Sequence, residues 1–142
     1  MADAELRLID PKELVGHERI GALGVAIVLW EIVRTGMFTR PILVDAPSKT
    51  ILDGHHRRVA ARILGLKKVP CWCVEYLADP SVTLVSRRPG MRVDKEEVVR
   101  RGAAGDLYPR KTTKHGYAAP ESVAYPLRDL RRGSAAGDPV NG

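Results

Sequence analysis

Aromatic side chains are scarce in this sequence, which has one Phe, two Trp and four Tyr among its 142 residues. The core of the folded protein must therefore be mostly aliphatic. No uninterrupted run of about 18 apolar residues occurs, so we expect neither a transmembrane helix nor a membrane partner. The chain opens with Met-Ala-Asp-Ala-Glu, which is acidic and has no apolar h-region. This opening argues against a secretory signal and for the cytoplasm.

Cysteine is equally scarce, and the two cysteines, Cys71 and Cys73, stand one residue apart. Residues at positions i and i+2 of a strand point to the same face, so the two thiols are expected to fill one face of the core. A zinc site would need two further ligands at a suitable spacing, and the sequence offers none.

The chain has the length of one ordinary domain, and its content of 44% hydrophobic and 28% charged residues is typical of a globular protein. The formal net charge of +6 is unevenly distributed. Residues 1–85 carry 11 Lys/Arg and 10 Asp/Glu, a balance of +1, whereas residues 86–142 carry 12 and 7, a balance of +5. A basic region binds nucleic acid or a small polyanion such as a nucleotide, and composition does not choose between them.

The spacing of hydrophobic residues and the positions of Gly and Pro between segments predict a small α/β domain with helices packed on a short mixed sheet. Gly36 and Gly65 are the expected helix stops. Asp94, followed by Glu97, predicts a capping box for the last helix. The predicted strands cover residues 6–9, 41–45, 50–53, 68–76 and 82–85, and the predicted helices cover residues 19–35, 55–64 and 94–103. We divide the chain into a core (1–85), a basic region that completes the site (86–132) and a disordered tail (133–142).

The segment Asp53-Gly54-His55-His56-Arg57 carries the strongest chemical signal. A strand ends in an acidic residue, a glycine permits a sharp turn, and a helix begins with free backbone N–H groups that favour anions. His55, His56 and Arg57 add side-chain donors, and Asp53 is suited to hold a Mg²⁺ ion that bridges phosphate oxygens. The alternative is that Asp53 only caps the helix and that the histidines are solvated.

Two further groups are candidates for chemistry. Lys111-Thr112-Thr113-Lys114-His115 combines cations, hydroxyls and an imidazole, a set that suits a phosphate or a carboxylate, although a solvated basic loop would have the same composition. Glu18, after His17, is a candidate general base, but glutamates are also common near helix N-termini because the helix dipole favours them. Arg87-Arg88 is a basic pair in a loop with an equally plausible role in solubility.

These stretches follow one another in an order that resembles the free serine kinases, a family within the ParB/sulfiredoxin-like superfamily. The resemblance covers roughly residues 5–130, and the last motif makes it specific. The matching stretches are His17-Glu18, Pro41-Ile42-Leu43-Val44-Asp45, Ile51 to Arg57, Leu64-Gly65, Val69-Pro70, Asp94 to Val98, and Gly105-Asp106-Leu107-Tyr108-Pro109-Arg110-Lys111-Thr112-Thr113-Lys114-His115.

The resemblance implies a Mg²⁺-dependent transfer of a phosphoryl group from ADP or ATP to free L-serine, giving O-phospho-L-serine. It implies that Glu18 takes the proton of the serine hydroxyl and that Asp53 holds the metal. It also implies that Gly54, His55, His56 and Arg57 cradle the nucleotide phosphates. Four residues, Lys111, Thr112, Thr113 and His115, would bind serine or its phosphate. The choice between ADP and ATP stays open, as do the pathway and the oligomeric state.

Three alternatives belong to other classes. A ParB-type regulator that binds DNA or CTP would normally append a helix-turn-helix region, and residues 86–142 do not offer two clean consecutive helices. A sulfiredoxin-like reductase needs a reactive cysteine in the turn at Gly54, and both cysteines lie on the next strand. A degenerate member would sense the ligand without turnover. We therefore expect a nucleotide and free L-serine as partners, and no nucleic acid.

Overall fold

A computed structural model describes residues 4–133 of the chain. The predicted tail, apart from Gly133, lies outside these described residues. In chain order the elements are β1 (Glu5–Ile9), α1 (Ala22–Thr35), β2 (Met37–Phe38), β3 (Ile42–Asp45), β4 (Ile51–Asp53), α2 (His55–Ile63), β5 (Val69–Val74), β6 (Thr83–Ser86), α3 (Lys95–Ala104), β7 (Thr113–Gly116), β8 (Tyr125–Pro126) and α4 (Leu127–Arg132).

A four-stranded mixed sheet forms the centre of the molecule, with the strand order β1-β5-β3-β4. Strand β5 pairs antiparallel with β1 and parallel with β3, and β3 pairs antiparallel with β4. All six residues of β5 are buried, as expected for an apolar strand covered on both faces. The predicted fold class, a small mixed sheet with packed helices, is confirmed.

The two faces of this sheet support two separate hydrophobic clusters. Alternate residues of β5 point in opposite directions, so Cys71 and Cys73 belong to one cluster and Trp72 to the other. The first cluster packs against α1, α2 and α4. The second packs against α3, through Val98, and against the loop that carries Tyr108. Both thiols therefore fill the core face that the sequence predicts for them.

Helix α1 begins at Ala22 rather than at residue 19, and it ends at Gly36, which has the left-handed conformation expected of a helix stop. Its buried residues are Val25 and Ile32. Four other apolar residues of this segment recur at a spacing of three or four residues, yet all are exposed: Leu23, Ile27, Trp30 and Val33. The helix is apolar around most of its circumference, so spacing alone could not select the buried face.

The basic region contains more regular structure than the sequence predicts. Strands β6 and β7 form an antiparallel pair, so Thr113 to Gly116 is a strand and not a loop. Strand β8 pairs with the two-residue strand β2. Strand β6 was predicted, at residues 82–85, whereas β2, β7 and β8 are too short to give a period-2 pattern in the sequence. The proposed boundary at residue 85 falls inside β6 and stays a prediction.

Helix α3 begins at its predicted cap. The side chain of Asp94 accepts a hydrogen bond from the Glu97 backbone N–H. The Glu97 carboxylate pairs with Arg100 and Arg101, two residues of the same helix. Within residues 4–133, no helix is both long and apolar enough to cross a membrane.

The turn from β4 into α2 depends on a glycine. Gly54 has φ +114° and ψ 26°, a conformation that side chains with a Cβ rarely adopt. A Cβ at this position would lie 3.2 Å from Ile42 and from the guanidinium carbon of Arg57. Only glycine therefore lets the strand pass directly into the helix.

We expect Gly54→Ala to lower the free energy of unfolding by about 3 kcal/mol, because backbone strain is added to crowding. Gly65→Ala is the matched control, since Gly65 has φ +69° and a Cβ there would meet no other described residue within 4 Å. This control should cost about 1 kcal/mol. Urea denaturation of both variants checks the difference, and equal costs would contradict a special role for Gly54.

Candidate active site

The first turn of α2 is an uncapped helix N-terminus. Gly54 is the N-cap residue, and among residues 4–133 no side chain caps the helix. Asp53 does not act as a cap. Its Oδ2 accepts a hydrogen bond of 3.1 Å from Arg57 instead. The backbone N–H groups of the first turn therefore remain available to an anion, and their role in binding phosphate stays a prediction.

Glu18 is held by three hydrogen bonds from a segment more than 90 residues away. Its Oε1 accepts from the backbone N–H of Thr113 at 2.8 Å and from the Thr113 hydroxyl at 2.7 Å. Its Oε2 accepts from the backbone N–H of Lys111 at 3.1 Å. Glu18 also forms an isolated parallel β-bridge with Tyr108. Because α1 begins only at Ala22, a helix-dipole preference does not explain this glutamate.

Lys111 contributes its backbone to the site. It has φ +57°, an unusual conformation for a residue other than glycine, and this turns its N–H toward Glu18. Its side chain is exposed. The neighbouring Thr112 is fully buried, and its hydroxyl donates to the Pro109 carbonyl at 2.6 Å and accepts from the Arg88 guanidinium at 3.0 Å. Thr112 therefore stabilises the loop, and its role as a ligand stays a prediction.

Three imidazole rings lie behind the carboxylate. His17 is fully buried, with Nδ1 at 2.7 Å from the Ile51 carbonyl and Nε2 at 2.9 Å from the Thr113 hydroxyl. The His17 backbone N–H donates to Nε2 of His55 at 3.2 Å. His55 therefore uses its side chain to hold the segment that carries Glu18, and its first-turn backbone N–H is the group that could meet a phosphate.

His115, the third ring, lies with Nε2 at 2.7 Å from the Tyr76 hydroxyl and with its centroid 5.6 Å from that of His17. Burial, reinforced by the nearby His17, lowers the pKa of His115 from 6.5 to about 3. Burial also lowers the pKa of His17, and it lowers the pKa of His55 well below the ordinary value. All three rings are therefore neutral near neutral pH.

Arg57 has a structural task. Its buried guanidinium donates to the carbonyls of Arg40 and Pro41 at 2.7 and 2.8 Å and to Asp53. These bonds anchor the first turn of α2 to the loop between β2 and β3. We retain only the backbone N–H of Arg57 as a candidate phosphate donor.

A cavity of about 420 Å³ separates the uncapped helix end from Glu18. The residues that line it include Glu18, Asp53, Gly54, His56, Thr113 and His115. A second cavity, of about 400 Å³, shares Asp53 and His115 with the first. One cavity is thus lined by residues of all three predicted motifs: Glu18, the turn that begins at Asp53, and the segment from Thr113 to His115. Arg57 and Lys111, together with Thr112, do not line the first cavity.

Sequence reasoning missed two contributors to this site. Arg87 lines the first cavity, although the sequence indicated only a basic pair in a loop, and Lys114 of the predicted phosphate-binding segment lines it as well. Gly24 lies against the imidazole of His56, and a Cβ at Gly24 would approach His56 Nε2 to 2.5 Å. A glycine inside a helix costs about 1 kcal/mol relative to alanine, so its presence was the available signal for such a close contact.

Asp53 is the residue that fits a magnesium ion. Within residues 4–133, no group of three or more His, Cys, Asp or Glu side chains could hold a metal. A Mg²⁺ ion bound with phosphate needs only one or two carboxylates, since phosphate oxygens and water complete its shell. The Asp53 side chain is 58% exposed and engages Arg57 through Oδ2, so its other oxygen fits that role.

Comparison with known proteins identifies relatives among kinases and ParB-like proteins. A ParB-like protein of Sulfolobus acidocaldarius is 40% identical over 76 residues, which are 54% of this chain and 38% of that protein. An ATP-dependent L-serine kinase of Desulfurococcus mucosus is 33% identical over 103 residues, 67% of this chain and 40% of that protein. An ADP-dependent L-serine kinase of Thermococcus kodakarensis is 28% identical over 97 residues, 66% of this chain and 40% of that protein. No protein-family model matches the chain.

The fold also matches solved structures. A free serine kinase in complex with AMP superposes with a TM-score of 0.75 at 16% identity, over 90% of this chain and 93% of that chain. The chain itself spans about two fifths of the length of the curated relatives it matches. The resemblance to the free serine kinases and to the ParB-like fold is confirmed, and the chain has the fold of a free serine kinase.

The buried histidines predict a loss of stability in acid. Each has a lowered pKa in the folded state, so the unfolded chain binds more protons below about pH 6.5, and the free energy of unfolding falls as the pH falls. For His115 the loss continues down to about pH 3. His115→Gln, which retains a partner for Tyr76, should lose about 1–2 kcal/mol less than the parent between pH 7 and pH 5.

Urea denaturation of both proteins at the two pH values checks this difference. An identical loss in the parent and in His115→Gln would mean that the pKa of the ring is the same in the folded and in the unfolded protein.

Proposed function

We propose that the chain is a Mg²⁺-dependent kinase that transfers a phosphoryl group from ADP or ATP to the hydroxyl of free L-serine, giving O-phospho-L-serine. The observation that carries the proposal is the pairing of a fixed carboxylate, Glu18, with an uncapped helix N-terminus across one cavity. The first is suited to take a proton from an alcohol, and the second is suited to bind phosphate.

Glu18 is the proposed general base. Its Oε1 has two donors and its Oε2 has one within the described part of the chain, so Oε2 retains a lone pair for the hydroxyl of the acceptor. The bonds from backbone N–H groups fix the carboxylate without supplying a charged partner. Near neutral pH the imidazoles around it are also uncharged, and the hydrogen bonds that Glu18 accepts within residues 4–133 come from uncharged donors.

The turn at Gly54 is the proposed site for the phosphates of the nucleotide. First-turn N–H groups of α2 would bind phosphate oxygens, and His56 would add a side-chain donor at the rim of the cavity. Asp53 would hold Mg²⁺, which supplies charge neutralisation on the phosphate oxygens when bound. Lys114 and Arg87 line the same cavity and would add positive charge around the transferred group. Phosphoryl transfer needs chiefly positioning and charge neutralisation, and this set of groups provides both.

The relatives support this reaction class. Two of them are named as L-serine kinases, one ATP-dependent and one ADP-dependent, and the matching free serine kinase structure contains AMP. The second cavity, which meets the first at Asp53 and His115, gives room for two substrates. His115, Thr113 and Lys111 remain our candidates for contacts to serine or to its phosphate. The relatives differ in their donor, so the choice between ADP and ATP stays open.

Incubation with Mg²⁺, L-serine and either ADP or ATP should yield O-phosphoserine, detected by mass spectrometry. Chelation of Mg²⁺ should abolish the product, because the phosphate charge would no longer be neutralised. A complete absence of product with both donors would favour a sensor or a regulator.

The regulator remains the second candidate, because a relative named as ParB-like is 40% identical over 76 residues and the C-terminal part of the chain is basic. A regulator of this kind should bind duplex DNA with an affinity that falls steeply with salt. Binding of DNA without any affinity for ADP or ATP would replace the kinase proposal.

Glu18→Gln should lower kcat by about 10²–10⁴-fold while the Kd for the nucleotide changes little, because the base is lost and the phosphate-binding turn is untouched. Glu31→Gln is the matched control, since Glu31 is exposed on α1. Calorimetric titration and steady-state rates together check the prediction. A simultaneous loss of nucleotide binding and turnover would make Glu18 structural.

Gly24→Ala should weaken nucleotide binding about tenfold, because the added Cβ displaces the His56 ring. Stability should not fall, since alanine is favoured over glycine in a helix by about 1 kcal/mol. The control is a double-mutant cycle with His56→Ala, in which Gly24→Ala should cost no further affinity. Additive losses in that cycle would contradict an effect through His56.

A further inference from the structure

The Thr113 hydroxyl lies between two groups that compete for it. Its oxygen is 2.7 Å from Glu18 Oε1 and 2.9 Å from His17 Nε2. A threonine hydroxyl has one hydrogen to donate and two lone pairs that accept. Its behaviour therefore depends on the protonation states of the two neighbours.

The tautomer of His17 follows from its other contact. Nδ1 is 2.7 Å from the Ile51 carbonyl, and a carbonyl oxygen only accepts, so Nδ1 carries a hydrogen. In the neutral ring Nε2 is then an acceptor. The groups that face this ring are His55 from α2 at 4.6 Å, His115 from β7 at 5.6 Å and Tyr108 from the preceding loop at 6.2 Å, all between ring centroids.

The negative charge of Glu18 raises the pKa of His17, but burial of the ring lowers it by more, so the pKa of His17 is lowered. The ring is therefore neutral when Glu18 is ionised. In that state both neighbours of Thr113 are acceptors, and one hydrogen cannot serve both. Because a carboxylate is the stronger acceptor, the hydroxyl donates to Glu18 and leaves the buried Nε2 of His17 without a donor from Thr113.

We infer that Thr113 is a hydrogen-bond switch, which donates to Glu18 while the carboxylate is ionised and turns to His17 once Glu18 has taken a proton. The inference rests on the proposed function for the source of that proton, the hydroxyl of the acceptor. The O–H bond of the acceptor breaks and an O–H bond forms at Glu18 Oε2. The Thr113 hydroxyl only rotates, and His17 neither gains nor loses a proton.

His17 is thus a positioning residue that acts through Thr113. Once Glu18 is neutral, it competes less well for the hydroxyl hydrogen, and the imidazole accepts it. The network is better satisfied after proton uptake than before, which favours the step in which the base accepts the proton. The two acceptors lie on adjacent residues and share one hydroxyl, that of Thr113, which is 95 positions from Glu18 and 96 from His17.

The first test needs neither turnover nor a substrate. In a ¹⁵N-labelled protein, the Nε2 resonance of His17 should move upfield in Glu18→Gln, because the neutral carboxamide releases the Thr113 hydroxyl to the ring. The shift should persist when Glu18→Gln is combined with Thr113→Ser and disappear when it is combined with Thr113→Val. An Nε2 resonance that does not respond to Glu18→Gln overturns the switch.

The second test uses the pH dependence of turnover. Thr113→Val removes a donor to the ionised carboxylate, so the acid limb of the rate profile should move to higher pH and kcat should fall about tenfold. Thr113→Ser should restore the parent profile. His17→Asn keeps an N–H for the Ile51 carbonyl but removes the competing acceptor, so its acid limb should move to lower pH. Shifts in the same direction for Thr113→Val and His17→Asn overturn the inference.

The two proposals fail separately. If the parent protein makes no O-phosphoserine, the proposed function is wrong, but the Nε2 resonance of His17 still tests the switch. If the parent protein makes the product but the Nε2 resonance of His17 does not respond to Glu18→Gln, only the switch is wrong.

Discussion

The structure depends on the way the chain satisfies one carboxylate, that of Glu18. This side chain stands at the edge of the core, and its donors come from the backbone at Lys111 and Thr113 and from the Thr113 hydroxyl. These donors reach Glu18 only if the loop before β7 lies beside the segment that precedes α1. The parallel β-bridge between Glu18 and Tyr108 shows that it does. That path in turn fixes β6 and the second hydrophobic cluster. One set of hydrogen bonds thus joins two segments that lie more than 90 residues apart, and both segments line the cavity.

The central architecture could be predicted from the sequence because its signals are local. The glycine after each of α1 and α2, the apolar run at β5 and the cap at Asp94 are all as expected. The face of α1 could not be predicted, since an almost uniformly apolar helix has no pattern to read. Strands β2 and β8 form only by pairing with each other, so neither has a hydrophobic pattern in the sequence that would predict it.

The candidate site shows a similar division. The residue types and their order were enough to bring together Glu18, Asp53 with the turn that follows it, and Thr113 with His115. The role of each side chain could not be predicted from the sequence, because the direction in which a side chain points depends on its tertiary contacts. Arg57 and Thr112 have donors that suit a phosphate, yet they use them on backbone carbonyls. A glycine inside a helix is ordinarily unfavourable, yet Gly24 makes room for the His56 ring in the structure.

The separation of 95 residues between Glu18 and Thr113 has a consequence for synthesis on the ribosome. The sheet strands and α2 are complete once Val74 has emerged, so the helix end with its free N–H groups can form early. Glu18 acquires its donors only after about forty further residues have been made. A nascent chain would therefore hold the phosphate-binding half of the site before the half that accepts a proton. Under our proposal, it could bind a nucleotide before it could react.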